Sequence, residues 1–201
     1  ELDQKYKEFS DSLKQLRQGM FAPENRGRTD ITTTQEGAEI SQNLLAHGYV
    51  AEDEIERYPG VTHKAGIHPV IECTQNIPCN PCQDACKFGC IKVGKNITSL
   101  PVVDAGAACK NCGMCVASCS GQAIFLVDED TGDGKAEVTI PYELLPIPET
   151  GDMGSALDRS GTKVCEAEVV SVKYSPAFDK THLLTMRVPK EYAMRARFFA
   201  R

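Results

Sequence analysis

The spacing of apolar residues changes along the chain, and the changes divide it. Over residues 1–30, Leu2, Tyr6, Phe9, Leu13 and Leu16 recur at three- and four-residue intervals, which predicts an amphipathic helix. Gly19 is its expected stop, and Pro23 to Arg28 reads as a loop. A second helix is expected from Thr33, with Glu36 three residues on as a capping box, Ile40, Leu44 and Leu45 on one face, and Gly48 at its end. Ala51 to Tyr58 predicts one or two further helical turns before Pro59-Gly60. Near residue 123 the pattern changes. The apolar run Ala123 to Val127, the polar turn Asp128 to Lys135 and a second run around Val138 to Ile140 predict a β-hairpin. Further on, Val164, Ala167, Val169, Val170, Val172 and Tyr174 supply a strand pattern. Ser175 to Lys180 then turns into a strand from Leu183 to Val188, and a short helix is expected over Pro189 to Arg197. Three segments follow: a helical extension over 1–65, a central domain over 66–145 and a small β-rich unit over 146–201.

Composition narrows the class of protein. Of 201 residues, 41% are apolar and 25% charged, an ordinary globular balance. No uninterrupted apolar run approaches the roughly 18 residues of a transmembrane helix, so no membrane span is expected. A formal net charge of −6 argues against a general nucleic-acid binder. No secretory leader is visible at Glu1, and a cytoplasmic location is expected, although a chain that does not begin with Met leaves a removed leader open. The acidic turn Asp128 to Lys135 lacks the Gly and Glu spacing of an EF-hand and reads as a solvated turn. Five Lys or Arg and one Glu between Arg187 and Arg201 make a basic tail, read as a solvated end or a docking segment.

The cysteines carry the chemistry. There are ten, all but Cys165 between Cys73 and Cys119. Cys109, Cys112, Cys115 and Cys119 are spaced C-x2-C-x2-C-x3-C, the pattern that holds [4Fe–4S] clusters in bacterial ferredoxins. Three cysteines on a tight loop can wrap one face of the cube, and Gly113 lets the chain approach it closely. The fourth cysteine in such a run ligates the other cluster, so a second run is required. Cys73, Cys79, Cys82 and Cys86 supply it, with three extra residues in the first gap. The expected ligands are therefore Cys73, Cys79, Cys82 and Cys119 for one cluster, and Cys109, Cys112, Cys115 and Cys86 for the other. Ligation of this kind adds to folding energy. Laying Cys86 to Ile91 over Cys119 to Ile124 puts Cys90 where the other half has Ala123, which reads Cys90 as a packing residue. A competing set draws on Cys79, Cys82, Cys86 and Cys90 and leaves Cys73 out; zinc and disulfides are further alternatives.

The pattern departs from the usual one at Lys87 and Ser120, where Pro normally follows the fourth cysteine. A lysine at 87 either raises the potential of the cluster that Cys86 would bind or points to water. His63 and His68 precede the first run and are expected to be structural, since eight cysteines complete two clusters. Cys165 is expected to be a buried strand cysteine.

With these motifs, the middle of the chain resembles a two-cluster bacterial ferredoxin. The expected fold is α+β: a two-[4Fe–4S] ferredoxin-like core with an N-terminal helical extension and a small C-terminal β unit. The segment Ile71 to Cys82, the run Cys109 to Cys119 and the Ala123 to Val127 strand are similar to the ferredoxin-like subunits of multi-subunit, flavin-dependent amino-acid and amine dehydrogenases of the proline or hydroxyproline type. That resemblance implies flavoprotein partner subunits carrying FAD or FMN and a hetero-oligomeric complex. No G-x-G-x-x-G fingerprint follows a strand, and no nucleophile–base pair stands out, so a non-catalytic electron-transfer subunit is expected. The alternatives are a free-standing ferredoxin-type carrier serving several partners and a structural or sensing protein.

Overall fold

A computed structural model of the chain describes residues 42–74 and 76–201, with residues 4, 5, 7, 8 and 11 near the N-terminus. The chain divides into two compact units, Glu1–Ile40 and Ser41–Arg201. The first expected helix falls largely, and the Thr33 start of the second wholly, outside the described residues. The second unit carries the fold that follows.

It opens with α1 (Gln42–His47), closed at Gly48 as the sequence predicts: Gly48 adopts a φ of 82° and its N–H donates to the Leu44 carbonyl at 2.9 Å. Leu44 packs on a small core of Val50, Ile55, Tyr58 and Leu100, whereas Leu45 is exposed rather than sharing that face. The expected turns after Ala51 form a 3-10 helix, Glu52–Arg57.

Nine strands follow, with two five-residue helices among them. They are β1 (His68–Ile71), α2 (Pro81–Ala85), β2 (Ile91–Lys92), β3 (Val102–Val103), α3 (Met114–Ser118), β4 (Ile124–Asp128), β5 (Lys135–Tyr142), β6 (Met153–Leu157), β7 (Lys163–Lys173), β8 (His182–Pro189) and β9 (Phe198–Ala200). Seven strands form one antiparallel sheet, in the order β1-β4-β5-β8-β7-β6-β9, and β2 pairs with β3 separately.

The sheet has a buried core on each face, which explains its apolar patterns. In β5 Ala136, Val138 and Ile140 alternate with Glu137 and Thr139, and the first three enter the larger core with Val70, Phe125, Leu184 and Met186. Glu137 and Thr139 meet Arg187 and Thr185 across the ladder, the two hydroxyls 2.8 Å apart. β4 is apolar without alternation because both its faces are covered. Phe125 and Val127 enter the larger core, while Ile124 and Leu126 turn to the other face, against Ile71, Val116, Leu183 and the cysteine-bearing helices.

The C-terminal segment differs from its sequence reading. β8 lies directly beside β5, so the strands of 146–201 continue the sheet begun in 66–145 and do not form a sheet of their own. Only Lys190–Tyr192 of the expected Pro189–Arg197 helix is helical, as a 3-10 turn, and β9 adds a short edge strand that the sequence does not signal. The tail is not a solvated end. Arg187 pairs with Glu137, Lys190 with Asp130, Arg195 with Glu52, Arg201 with Asp152, and Arg197 is buried on Glu72. Among the described residues, no helix is long and apolar enough to cross a membrane.

Candidate metal centres

Eight cysteines sit on two copies of one local design. In the first, Cys73 follows β1, a loop carries Cys79 into α2, Cys82 lies on that helix, Cys86 caps it, and β2 follows. In the second, Cys109 and Cys112 follow β3, Cys115 lies on α3, Cys119 caps it, and β4 follows. Pro81 starts α2 at a position where its missing N–H costs nothing. Gly113 starts α3 from a left-handed φ of 78°, and a Cβ there would stand 2.1 Å from Leu183 Cδ1. The close approach that the sequence assigns to Gly113 is thus made against the sheet.

The copies match bond for bond. Both capping cysteines close their helices with a backbone bond, Cys86 N to the Gln83 carbonyl at 3.1 Å and Cys119 N to the Val116 carbonyl at 3.4 Å. Gly89 and Gln122 then turn the chain at positive φ, 66° and 49°. The Cys90 N–H donates to Cys86 Sγ at 3.3 Å, and the Ala123 N–H to Cys119 Sγ at 3.4 Å. The outgoing strands exchange partners: β4 pairs with β1, and β2 with β3. Glu72 N donates to the Ala123 carbonyl and Asp104 N to the Cys90 carbonyl, each at 2.8 Å. Cys90 therefore occupies the place of Ala123, buried, as the overlay expects.

This exchange sorts the thiols into the two expected groups. Cys73, Cys79 and Cys119 line one open cavity, of about 510 Å³. Cys82 is buried next to them: burial pushes its thiol up to about 11, with Cys119, Cys73 and Cys79 adding to the shift. Cys86, Cys109, Cys112 and Cys115 line a second, tight recess with Cys90, Lys110 and the apolar Pro69, Phe88, Ile91 and Leu126. Burial pushes Cys115 up to about 12, helped by Cys109, Cys112 and Cys86. Cys86 is the exception: burial raises its thiol, but the N–H groups of Cys90, Ile91 and Phe88 outweigh it and leave it below the ordinary value. Cys90 is pushed up to about 11, first by burial and then by Cys86 and Cys109, so its thiol neighbours belong to the second group.

The donor chemistry follows from these shifts. Burial resists ionisation of Cys82 and Cys115, the inner thiol of each group, and a strongly positive centre bound there would favour their thiolate forms. Donors of this type suit soft, thiophilic metals. Among the described residues no three His, Cys, Asp or Glu side chains converge on one point as ligands of a single ion. No disulfide joins the ten cysteines, all of which are described.

The other candidates lie elsewhere. His63 sits between Glu129 and Glu56, with Nδ1 2.9 Å from Glu129 Oε2 and Nε2 3.1 Å from Glu56 Oε1. His68 is buried, its ring nitrogens facing the Gly66 and Thr62 carbonyls at 2.9 Å each. Lys87 is exposed, which favours the water-facing reading of that side chain. Cys165 is partly rather than fully buried in β7, beside the larger core. In the acidic turn, Asp130 and Asp133 accept from the turn's own Gly132 and Lys135 N–H groups.

Sequence reasoning does not reach one group at the rim of the first cavity. Glu72, directly before Cys73, accepts from Arg159 Nε at 2.7 Å and from Arg197 Nε at 2.7 Å, and a second Arg159 nitrogen also reaches it. All three side chains are nearly or fully buried. A glutamate ending the buried strand His68-Pro69-Val70-Ile71 is the only local signal; its partners lie 87 and 125 residues away. No protein-family model, curated protein or solved structure matches this chain.

Proposed function

We propose that the chain is an iron–sulfur electron-transfer subunit with a ferredoxin-like core. It would hold one [4Fe–4S] cluster on Cys73, Cys79, Cys82 and Cys119 and a second on Cys109, Cys112, Cys115 and Cys86. The observation that carries this reading is the crossing itself: each group of three local cysteines is completed by the helix-capping cysteine of the other copy. A zinc ion would need its four donors on one point, about 2.3 Å from each sulfur. A cubane takes one thiolate at each iron corner, so its donors stand apart around a larger body. When bound, each cluster takes up and gives back one electron.

The chain's own residues would bind and tune these groups. Cys82 and Cys115, on short helices packed into the sheet, would hold the clusters from the protein side, and the sheet face formed by Ile71, Ile124, Leu126 and Leu183 would keep water from that side. The N–H groups of Cys90, Asn111 and Ala123 are aimed at Cys86, Cys109 and Cys119 sulfurs, where they would stabilise added negative charge. Cys112 is exposed and gives the second site an edge at the surface. From the resemblance of its cysteine-bearing segments, the chain serves a multi-subunit, flavin-dependent oxidoreductase acting on an amino acid or amine, with flavoprotein subunits as partners. A cytoplasmic, reducing compartment suits its thiols.

Paired variants test the crossing. Cys119→Ala is expected to remove the cluster whose other ligands are Cys73, Cys79 and Cys82, and Cys86→Ala the other one. Mössbauer spectra should show about half the iron left in each variant, with different residual signals. Identical residual signals, or full iron in both, would contradict the assignment. Purification of the native protein together with a flavoprotein supports the subunit role; recovery as a lone carrier favours the free-standing alternative.

A further inference from the structure

We infer that the buried Arg159–Glu72–Arg197 group is an electrostatic device that selectively raises the reduction potential of the cluster site formed by Cys73, Cys79, Cys82 and Cys119. The inference rests on the function proposed above and assigns to that site something the cysteine motif does not contain.

The argument begins with a charge count. Two guanidiniums share one carboxylate, so the group carries an excess positive charge. It is withdrawn from water, with the Arg197, Glu72 and Arg159 side chains 1%, 7% and 11% exposed. The remaining arginine donors go to neutral acceptors. Arg159 reaches the Met194 carbonyl at 2.9 Å, Arg197 reaches the Ala193 and Ala196 carbonyls at 3.0 and 2.6 Å, and the Arg197 guanidinium lies 4.9 Å from the centre of the Phe125 ring. Burial pushes Arg197 down to about 10, which leaves it charged at neutral pH. Glu129, another carboxylate that acts on Arg197, is itself held by His63.

An unmatched buried cation is strongly disfavoured unless an anion offsets it. The space that Arg159, Arg197 and Glu72 border is the cavity lined by Cys73, Cys79 and Cys119, and Glu72 is the residue before Cys73. An anionic four-thiolate centre in that cavity is the counter-charge. One-electron reduction adds one negative charge there and no proton. A fixed positive charge nearby, weakly screened because it is buried, favours the reduced state. Among the described residues, no buried Lys, Arg, Asp or Glu lies outside this group, and the lysines near the second cysteine group, Lys87 and Lys110, are exposed. The effect is therefore one-sided, and an electron shared between the two sites is drawn toward the first.

The test is a dithionite titration of the full chain, monitored by EPR, with the first site's signal identified as the one that Cys79→Ser alters. Arg159→Gln is expected to lower the first site's midpoint and leave the second unchanged, Glu72→Gln to raise it, and Arg159→Lys, which keeps the charge, to stay near the unaltered value. Arg159 is chosen because Arg197 is fully enclosed and its loss threatens folding. Shifts of opposite sign confined to one site distinguish charge from loosened packing, which would move the variants alike. No shift in either midpoint, or equal shifts in both, overturns the inference while leaving the cluster assignment intact. An unaltered chain with no reducible clusters overturns the proposed function itself.

Discussion

At the scale of single residues, the second cysteine loop depends on Gly113. Its φ of 78° and the 2.1 Å separation between a Cβ there and Leu183 Cδ1 are separate obstacles to any side chain. Gly113→Ala should cost about 1–3 kcal/mol from backbone strain and overpacking together. Urea unfolding would measure it, and in the background of Leu183→Ala, itself costly because Leu183 is buried, Gly113→Ala should cost less by the steric part only. A second residue-level prediction concerns pH. The hydrogen bonds that His63 donates to Glu129 and then Glu56 hold it above its ordinary value, against a smaller opposing effect of burial. The charged form is favoured in the folded state, so this contribution to stability is fully present below the unfolded value and is lost as pH rises through the folded one. NMR titration should find the His63 midpoint above 6.5, the ordinary value, and Glu129→Gln should bring it down. Because His63 is half exposed, the stability change is small.

At the scale of elements, what the sequence made legible is what local spacing encodes. The β4 and β5 strands, the long β7, and β8 all have apolar runs or alternation; β4, β7 and β8 form within a residue or two of the expected positions, and β5 extends beyond the expected Val138 to Ile140 at both ends. The cysteine groups are legible for the same reason: three of each four lie within ten residues, and the ferredoxin-type pattern assigns the fourth. β2, β3 and β9 are two or three residues long and carry no period to read. The Arg159 and Arg197 contacts with Glu72 are invisible because they depend on β6, β7 and β9 returning to the end of β1, a question of topology rather than composition. The charge proposed to act on the first site therefore comes from distant arginines, whereas sequence adjacency draws attention only to Lys87, beside the second.

At the scale of the molecule, β5 binds the two halves of the second unit. It pairs with β4 on one side and along its whole length with β8 on the other, and its inward residues share a core with Leu184 and Met186. The segment 66–145 alone would expose that edge and lose those partners. It should fail to unfold cooperatively and should lack the dispersion of amide NMR signals expected of the intact chain; a folded fragment would show that the sheet is not a single cooperative structure.

The distribution of eight thiols between two sites is best tested by direct chemistry on the whole chain. Iron and acid-labile sulfide, assayed anaerobically after purification or reconstitution, should each come to about eight per chain. Iron far below that with no labile sulfide, or stoichiometric zinc in its place, would contradict the assignment of two [4Fe–4S] clusters.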